Sequence, residues 1–155
     1  MERRKFLRNA TIATAAGAAA AGTAGPALAQ SGAKWRMLTM WPRSLDTLFG
    51  SADQLGKRVT AISGGQFDLR AFPAGEIAPP GQILDAVSMG TVECGHVLSS
   101  FFTGKNPAFA FDAGLAFGLN TRQQNAWMYH GGGLEAMRSV FAKYNVVPIP
   151  CGNVG

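Results

Sequence analysis

The chain is poor in the residues that most enzymes use for chemistry. It has 2 cysteines, 2 histidines and only 15% charged residues. The cysteines form no C-x-x-C pair, and the histidines and carboxylates show no metal-ligand spacing. No G-x-S-x-G pentapeptide occurs, and no G-x-G-x-x-G follows a predicted strand. These absences argue against a metalloenzyme, a serine hydrolase and a dinucleotide-binding enzyme.

Basic patches are also absent after the first 29 residues. The formal charge of +5 is concentrated at the amino terminus, where four of the 14 basic residues and one of the nine acidic residues lie. The remaining ten basic and eight acidic residues are scattered, with no stripe of Lys or Arg between aromatics, so no nucleic-acid partner is predicted. After this region there is also no apolar run of the roughly 20 residues that a transmembrane helix needs.

The amino terminus has the three parts of an export signal. Arg3 and Arg4 precede an alanine-rich run, and Ala27 and Ala29 have the spacing that a signal peptidase accepts. The arginine pair followed by Phe-Leu favours the twin-arginine route over an ordinary secretory signal. We therefore predict a twin-arginine signal peptide at residues 1–29 and a periplasmic location for the mature chain.

The rest of the sequence alternates between strand and helix patterns. Strands are predicted at residues 34–41, 66–72, 92–98 and 146–149. A helix is predicted from an N-cap at Ser44 to Ile62, because apolar residues recur there at steps of three and four. Further helices are predicted at about 82–89, 121–130 and 134–144. Such alternation predicts an α/β fold with a mainly parallel sheet flanked by helices.

Several short motifs have competing interpretations. His130–Gly133 (HGGG) is similar to a lipase oxyanion loop, but without a nucleophile elbow a break between two helices is favoured. His96 in a predicted strand is interpreted as a hydrogen-bonded core or rim residue. Cys94 and Cys151 could pair in an oxidising compartment, although two free, buried thiols are the favoured interpretation.

Aromatic and polar residues follow the predicted strands and mark a candidate binding site. Ligands of open α/β sheets bind beyond the carboxyl ends of the strands. Trp41 and Phe101 lie there, as do Ser100 and Asn153, and an apolar floor with a few polar groups suits a small molecule. Phe109 and Phe111 are expected to pack the core.

Several long stretches together resemble one protein family. The stretches are WRMLTMWP, AISGGQFDLRAFPAGEI, DAVSMGTVECGH, GKNPAFAF, FGLNTRQQNAWMYHGGG and CGNVG. They resemble the DctP-type extracytoplasmic solute receptors of TRAP transporters, and within them the branch that binds 2-oxo and 2-hydroxy monocarboxylates.

The resemblance implies a receptor of two lobes that closes on a small organic acid and delivers it to membrane subunits. Residues 30–145 would form the first lobe, and residues 146–155 would begin a strand that crosses into the second. The signature arginine, and the ligands of a metal ion that can bridge the substrate, are expected beyond Gly155; this chain itself is expected to hold no cofactor. A homodimer is compatible with the family.

One departure from the family concerns the substrate. Relatives have tyrosines where this chain has Ser100 and Phe101, so a phenolic hydroxyl is missing and a larger or less polar acid, or a bridging water, could take its place. The alternatives to a transport receptor are an exported α/β enzyme with its catalytic residues further along, and a sensory binding module.

Overall fold

A computed structural model describes residues 32–152 of the chain except for residues 113, 114 and 116. The predicted signal peptide and Asn153 lie outside the described residues. Within them, the order of strands and helices follows the predicted α/β pattern.

Three parallel strands form the sheet that the described residues contain. They are β1 (Ala33–Thr39), β2 (Phe67–Phe72) and β3 (Cys94–His96), and β1 lies in the centre with β2 and β3 on either side. The register places Thr39 of β1 opposite His96 of β3. The two strands therefore end at the same edge of the sheet.

In the part of the chain that the structure describes, four α-helices and three short 3₁₀ segments connect and cover the strands. The helices are α1 (Leu48–Ile62), α2 (Ile83–Ser88), α3 (Thr121–His130) and α4 (Gly133–Ala142). The 3₁₀ segments are Pro80–Gln82, Ser99–Phe102 and Pro107–Phe111. The α/β architecture with a parallel sheet flanked by helices is confirmed.

The main core lies on the face of the sheet that carries Leu38 and Met40. Met37 and Thr39 are also buried, and because side chains alternate along a strand they point to the opposite face. Phe109 at the core centre is fully buried, with its ring edge-on to the ring of Phe141. The buried members of the main cluster are Leu38, Met40, Ile83, Leu84, Ala86, Val92, Phe102, Phe109, Met128, Met137 and Phe141.

The HGGG stretch is a break between two helices, as predicted. α3 ends at His130, Gly132 takes a positive φ of 82°, and α4 begins at Gly133. A Cβ atom at Gly133 would lie 2.6 Å from the indole of Trp127. The glycines thus provide a left-handed turn and room for a large ring.

Three details of the prediction were wrong. Helix α1 begins later than expected, with Thr47 at its N-cap position and no side-chain cap, so Ser44 does not cap it. Phe111 is half exposed and does not pack the core as Phe109 does. Cys151 is exposed, so the two free thiols are not both buried.

The predicted strand at residues 146–149 is not formed. Val146, Pro148 and Pro150 are half-buried and Val147 and Ile149 are exposed, which is the alternation of an extended chain. Neither proline has an N–H group to donate to a ladder. No described strand pairs with this segment, so it is extended but unpaired.

Candidate functional site

The carboxyl ends of β1 and β3 place two sequence-distant residues side by side. The N–H of Met40 donates to the carbonyl oxygen of His96 at 3.3 Å, which extends the contact between the strands by one residue. The next residue, Trp41, donates its indole Nε1–H to Nδ1 of His96 at 3.1 Å. This edge of a parallel sheet is where ligands of open α/β folds bind.

Trp41 is also held through its backbone. Its carbonyl oxygen accepts hydrogen bonds from the N–H of Ala74 at 3.0 Å and from Oγ1 of Thr39 at 3.1 Å. The indole is half-buried, and its plane lies at 68° to the imidazole of His96. The backbone of Trp41 is therefore held by Thr39 and Ala74, and its indole by His96.

The 3₁₀ segment Ser99–Phe102 presents its two central residues away from the core. Ser99 and Phe102 are buried, and Oγ of Ser99 lies 2.6 Å from a carboxylate oxygen of Asp112. Phe101, by contrast, is 64% exposed and Ser100 is half-buried. Ser100 and Phe101 are therefore accessible to another molecule, whereas the buried, hydrogen-bonded Ser99 has a structural role.

Three of the four candidate site residues thus follow β1 and β3 at the same edge. Trp41 comes after β1, and Ser100 and Phe101 come after β3. Asn153 lies outside the described residues. Whether these side chains contact a ligand stays a prediction.

A cavity of about 760 Å³ runs along the free side of β3. It is lined by residues of α2, α3 and α4, which include Gln124 and Asn125 of α3, and by residues 145–152; Trp41, Ser100 and Phe101 are not among its walls. Its charged residues are Glu93 and Asp112, and no Lys or Arg of the described residues lines it. An organic anion is not favoured there, so the strand ends are the better candidate for an acid-binding site.

His96 lies between the strand ends and the cavity, because it accepts a hydrogen bond from Trp41 and also lines the cavity. Its interpretation as a hydrogen-bonded rim residue is confirmed. Burial lowers the pKa of the His96 imidazole below its ordinary value, since desolvation disfavours the cation. The neutral imidazole is therefore the form present at neutral pH.

Sequence reasoning did not select His96 as a site residue. The only local signal was its position at the end of an apolar strand, which is shared by many core histidines. The contact with Trp41 spans 55 positions of the chain. No pattern in the sequence could reveal that hydrogen bond.

The described residues do not form a metal centre. They contain no group of three or more His, Cys, Asp or Glu side chains arranged to hold a metal ion. A metal that bridges the substrate would need ligands from other parts of the protein.

Comparison with known proteins identifies the family. Residues 38–155 match the family described as bacterial extracellular solute-binding protein, family 7. The chain belongs to this family. The resemblance seen in the sequence is confirmed, and the family consists of solute receptors and not of enzymes.

Named relatives agree with the family assignment. A monocarboxylate 2-oxoacid-binding periplasmic protein of Nostoc sp. is 46% identical over the whole of this chain, which spans 43% of that relative's length. A TRAP transporter solute-binding protein of Bordetella bronchiseptica, crystallised as a dimer with calcium and picolinate in one active site, is 58% identical with a TM-score of 0.77. That match covers 80% of this chain and 37% of the other.

A third relative has a simpler ligand. The TRAP periplasmic solute-binding protein of Pseudoalteromonas atlantica, solved with sodium and pyruvate, is 30% identical with a TM-score of 0.72. The match covers 78% of this chain and 37% of that one. The chain therefore spans less than half the length of each of these three relatives. No helix within the described ranges is long and apolar enough to cross a membrane.

Proposed function

We propose that the full-length protein is the extracytoplasmic receptor of a TRAP transporter and captures a small 2-oxo or 2-hydroxy monocarboxylate. The observation that carries this proposal is the family match over residues 38–155, together with a free edge of parallel strands where Trp41 and His96 meet. The receptor would close on the acid and deliver it to the membrane subunits.

The ligand class is supported by what similar proteins bind. The Nostoc relative is named for monocarboxylate 2-oxoacids, and the Pseudoalteromonas relative holds pyruvate. The absence of tyrosine at Ser100 and Phe101 supports an acid with an apolar substituent, because the exposed Phe101 ring offers contact area without a hydroxyl. Picolinate, held by the Bordetella relative, is an aromatic acid of this kind.

Two further features belong to the same proposal. Export by the twin-arginine route rests on Arg3 and Arg4 and would deliver a folded receptor to the periplasm. A cation that bridges the acid and the second lobe is supported by the calcium and sodium of the two solved relatives, with ligands outside the described residues.

Thermal unfolding of the full-length receptor tests the proposal. Pyruvate, 2-oxobutyrate, lactate and picolinate are added singly, with calcium or sodium present, and propionate serves as the control that lacks the 2-oxo group. A ligand at 100 times its Kd should stabilise the folded state by about 2.7 kcal/mol. Stabilisation by a 2-oxo or 2-hydroxy acid but not by propionate is expected.

Two results would contradict the proposal. If none of the acids shifts the melting temperature with either cation, the ligand class is wrong. If an added acid is consumed or converted, as followed by proton NMR, the protein acts as an enzyme and not as a receptor.

A further inference from the structure

The hydrogen bond between Trp41 and His96 fixes which nitrogen of the imidazole carries the proton. An indole N–H can only donate, so Nδ1 of His96 accepts at 3.1 Å and holds a lone pair. In a neutral imidazole the proton then lies on Nε2. The backbone of Trp41 is itself held by Ala74 and Thr39 through its carbonyl oxygen.

The Nε2–H group of His96 has no hydrogen-bond partner among the described residues. No described residue accepts a hydrogen bond from it, yet no buried side-chain nitrogen or oxygen of the described residues lacks a partner. Nε2 is therefore not fully buried, and His96 is the last residue of β3, at the strand end where the acid is proposed to bind. A directed donor at this edge is suited to an oxygen atom of a ligand.

The charged groups around His96 leave it as a neutral donor. Glu93 lines the same cavity, but both of its carboxylate oxygens accept from Arg36. Asp112 accepts from Ser99, and Asp85 of α2, the helix that packs against β3, is paired with Lys105.

The remaining titratable groups on the cavity wall are Cys94, Tyr129 and Cys151. None of these groups is hydrogen-bonded to the imidazole among the described residues.

We propose that Trp41 holds His96 in the Nε2–H tautomer so that His96 donates a hydrogen bond to a carboxylate or 2-oxo oxygen of the bound acid. Trp41 is then a positioning residue and His96 a ligand-binding residue. This role rests on the proposed function, since it requires the acid to bind at the ends of β1 and β3.

The first experiment measures the tautomer in the absence of ligand. The full-length receptor is labelled with ¹⁵N-histidine, and two-bond ¹H–¹⁵N spectra at pH 7.5 distinguish protonated from unprotonated ring nitrogens. His96, assigned with His96→Asn, should show a protonated Nε2 and an unprotonated Nδ1. A protonated Nδ1 would overturn the proposal.

The second experiment separates the acceptor from the donor of His96. His96→Asn keeps an acceptor near the position of Nδ1 and loses the donor, whereas His96→Gln places an amide N–H near Nε2 and loses the acceptor. Pyruvate with calcium present is the probe, and binding is measured by calorimetry. The indole N–H resonance of Trp41 reports the other end of the pair.

H96N should weaken pyruvate binding about tenfold, the loss expected for one hydrogen bond to a charged group, and leave the Trp41 resonance near its wild-type position. H96Q should bind pyruvate more tightly than H96N but shift the Trp41 resonance. Unchanged pyruvate affinity in a folded H96N receptor would overturn the role of His96 alone. If the wild-type receptor binds neither pyruvate nor any other carboxylate, the proposed function fails and the ligand-facing role fails with it.

Discussion

Arg36 and Glu93 show how one pair of residues can join two strands. The carboxylate of Glu93 accepts from the backbone N–H of Arg36 at 2.7 Å and from its guanidinium at 2.8 and 3.0 Å. The same guanidinium donates to the carbonyl oxygen of Thr91. These hydrogen bonds lower the pKa of Glu93 to about 2, because they stabilise its ionised form. The pair ties β1 to the residues that lead into β3.

At the same scale, Cys94 is predicted to be an unreactive thiol. Burial, and secondarily the charge of Glu93, raises the pKa of Cys94 to about 11 from an ordinary 9.0, so near neutral pH its thiolate is roughly a hundredfold rarer than that of an ordinary thiol. In a Cys151→Ser receptor, Cys94 should therefore react with iodoacetamide at pH 8 much more slowly when folded than in urea.

The matched control is Cys94→Ser, which leaves the exposed Cys151 and should be labelled with a smaller difference between the folded and unfolded states. Rapid labelling of Cys94 in the folded receptor would show that the thiol is neither shielded nor raised in pKa.

Helix α1 shows how an element is positioned by a residue without a side chain. Phe49, Ala52 and Gly56 are its buried residues, a narrower stripe than the apolar pattern predicted, and Leu55 and Ile62 are exposed. A Cβ atom at Gly56 would lie 2.4 Å from the carbonyl oxygen of Leu69 in β2. The close approach of helix and strand therefore requires glycine.

Two glycine substitutions in α1 test this packing. Gly56→Ala should lower the free energy of unfolding by about 1–3 kcal/mol, the usual cost of forcing atoms into a filled site. Gly50→Ala lies in the same helix with nothing within 4 Å of the added Cβ, and should raise the free energy of unfolding by about 0.5–1 kcal/mol. Urea denaturation measures both, and equal effects would contradict the close contact with Leu69.

An element could be predicted from the sequence where its start or end is marked by residues next to it in the chain. Helix α1 ends before Gly64 and Gly65, both with positive φ, and the tripeptide Ser63-Gly64-Gly65 was sufficient to predict that end. The start of α3 is also local, since Asn120 and Gln123 form a reciprocal capping box. Residues 146–149 pair with no strand among the described residues, because a strand also needs a neighbour and hydrophobic alternation cannot supply one.

On the scale of the whole molecule, stability should depend on pH through two groups that hold β3. The pKa of His96 is lowered below 6.5 and that of Glu93 below 4.5 in the folded protein. A group with a lowered pKa stabilises the fold above its unfolded pKa, and that stabilisation is lost as the pH falls, because the unfolded chain binds the proton first.

The free energy of unfolding of the full-length receptor should therefore decrease below pH 6.5 through His96, and again between pH 4.5 and about 2 through Glu93. Urea midpoints measured from pH 8 to pH 3 follow both steps. H96N should flatten the first and Glu93→Gln the second. A wild-type profile that H96N does not change between pH 6.5 and 5 would contradict a neutral, buried His96.

The proposed binding function also depends on parts of the protein outside the described residues. The chain spans 37% of the length of each of the two solved relatives described above, and no lysine or arginine of the described residues lines the cavity beside β3. A cation that pairs with an acid would have to come from elsewhere. We therefore expect that binding of the proposed acid requires the full-length protein.

The sequence by itself determined the order of strands and helices, the parallel sheet, the glycine-rich breaks and the family. The helices, strands and breaks depend on backbone dihedral preferences or on a hydrophobic period, which a short stretch of chain contains in full. The parallel sheet follows from the order in which these elements alternate, and the family from several long stretches taken together. Only the tertiary structure decided that Gly56 lies against Leu69, that no described strand pairs with residues 146–149, and that Trp41 donates to His96. These depend on contacts between residues far apart in the chain, and their geometry arises only when the sheet and its helices have packed together.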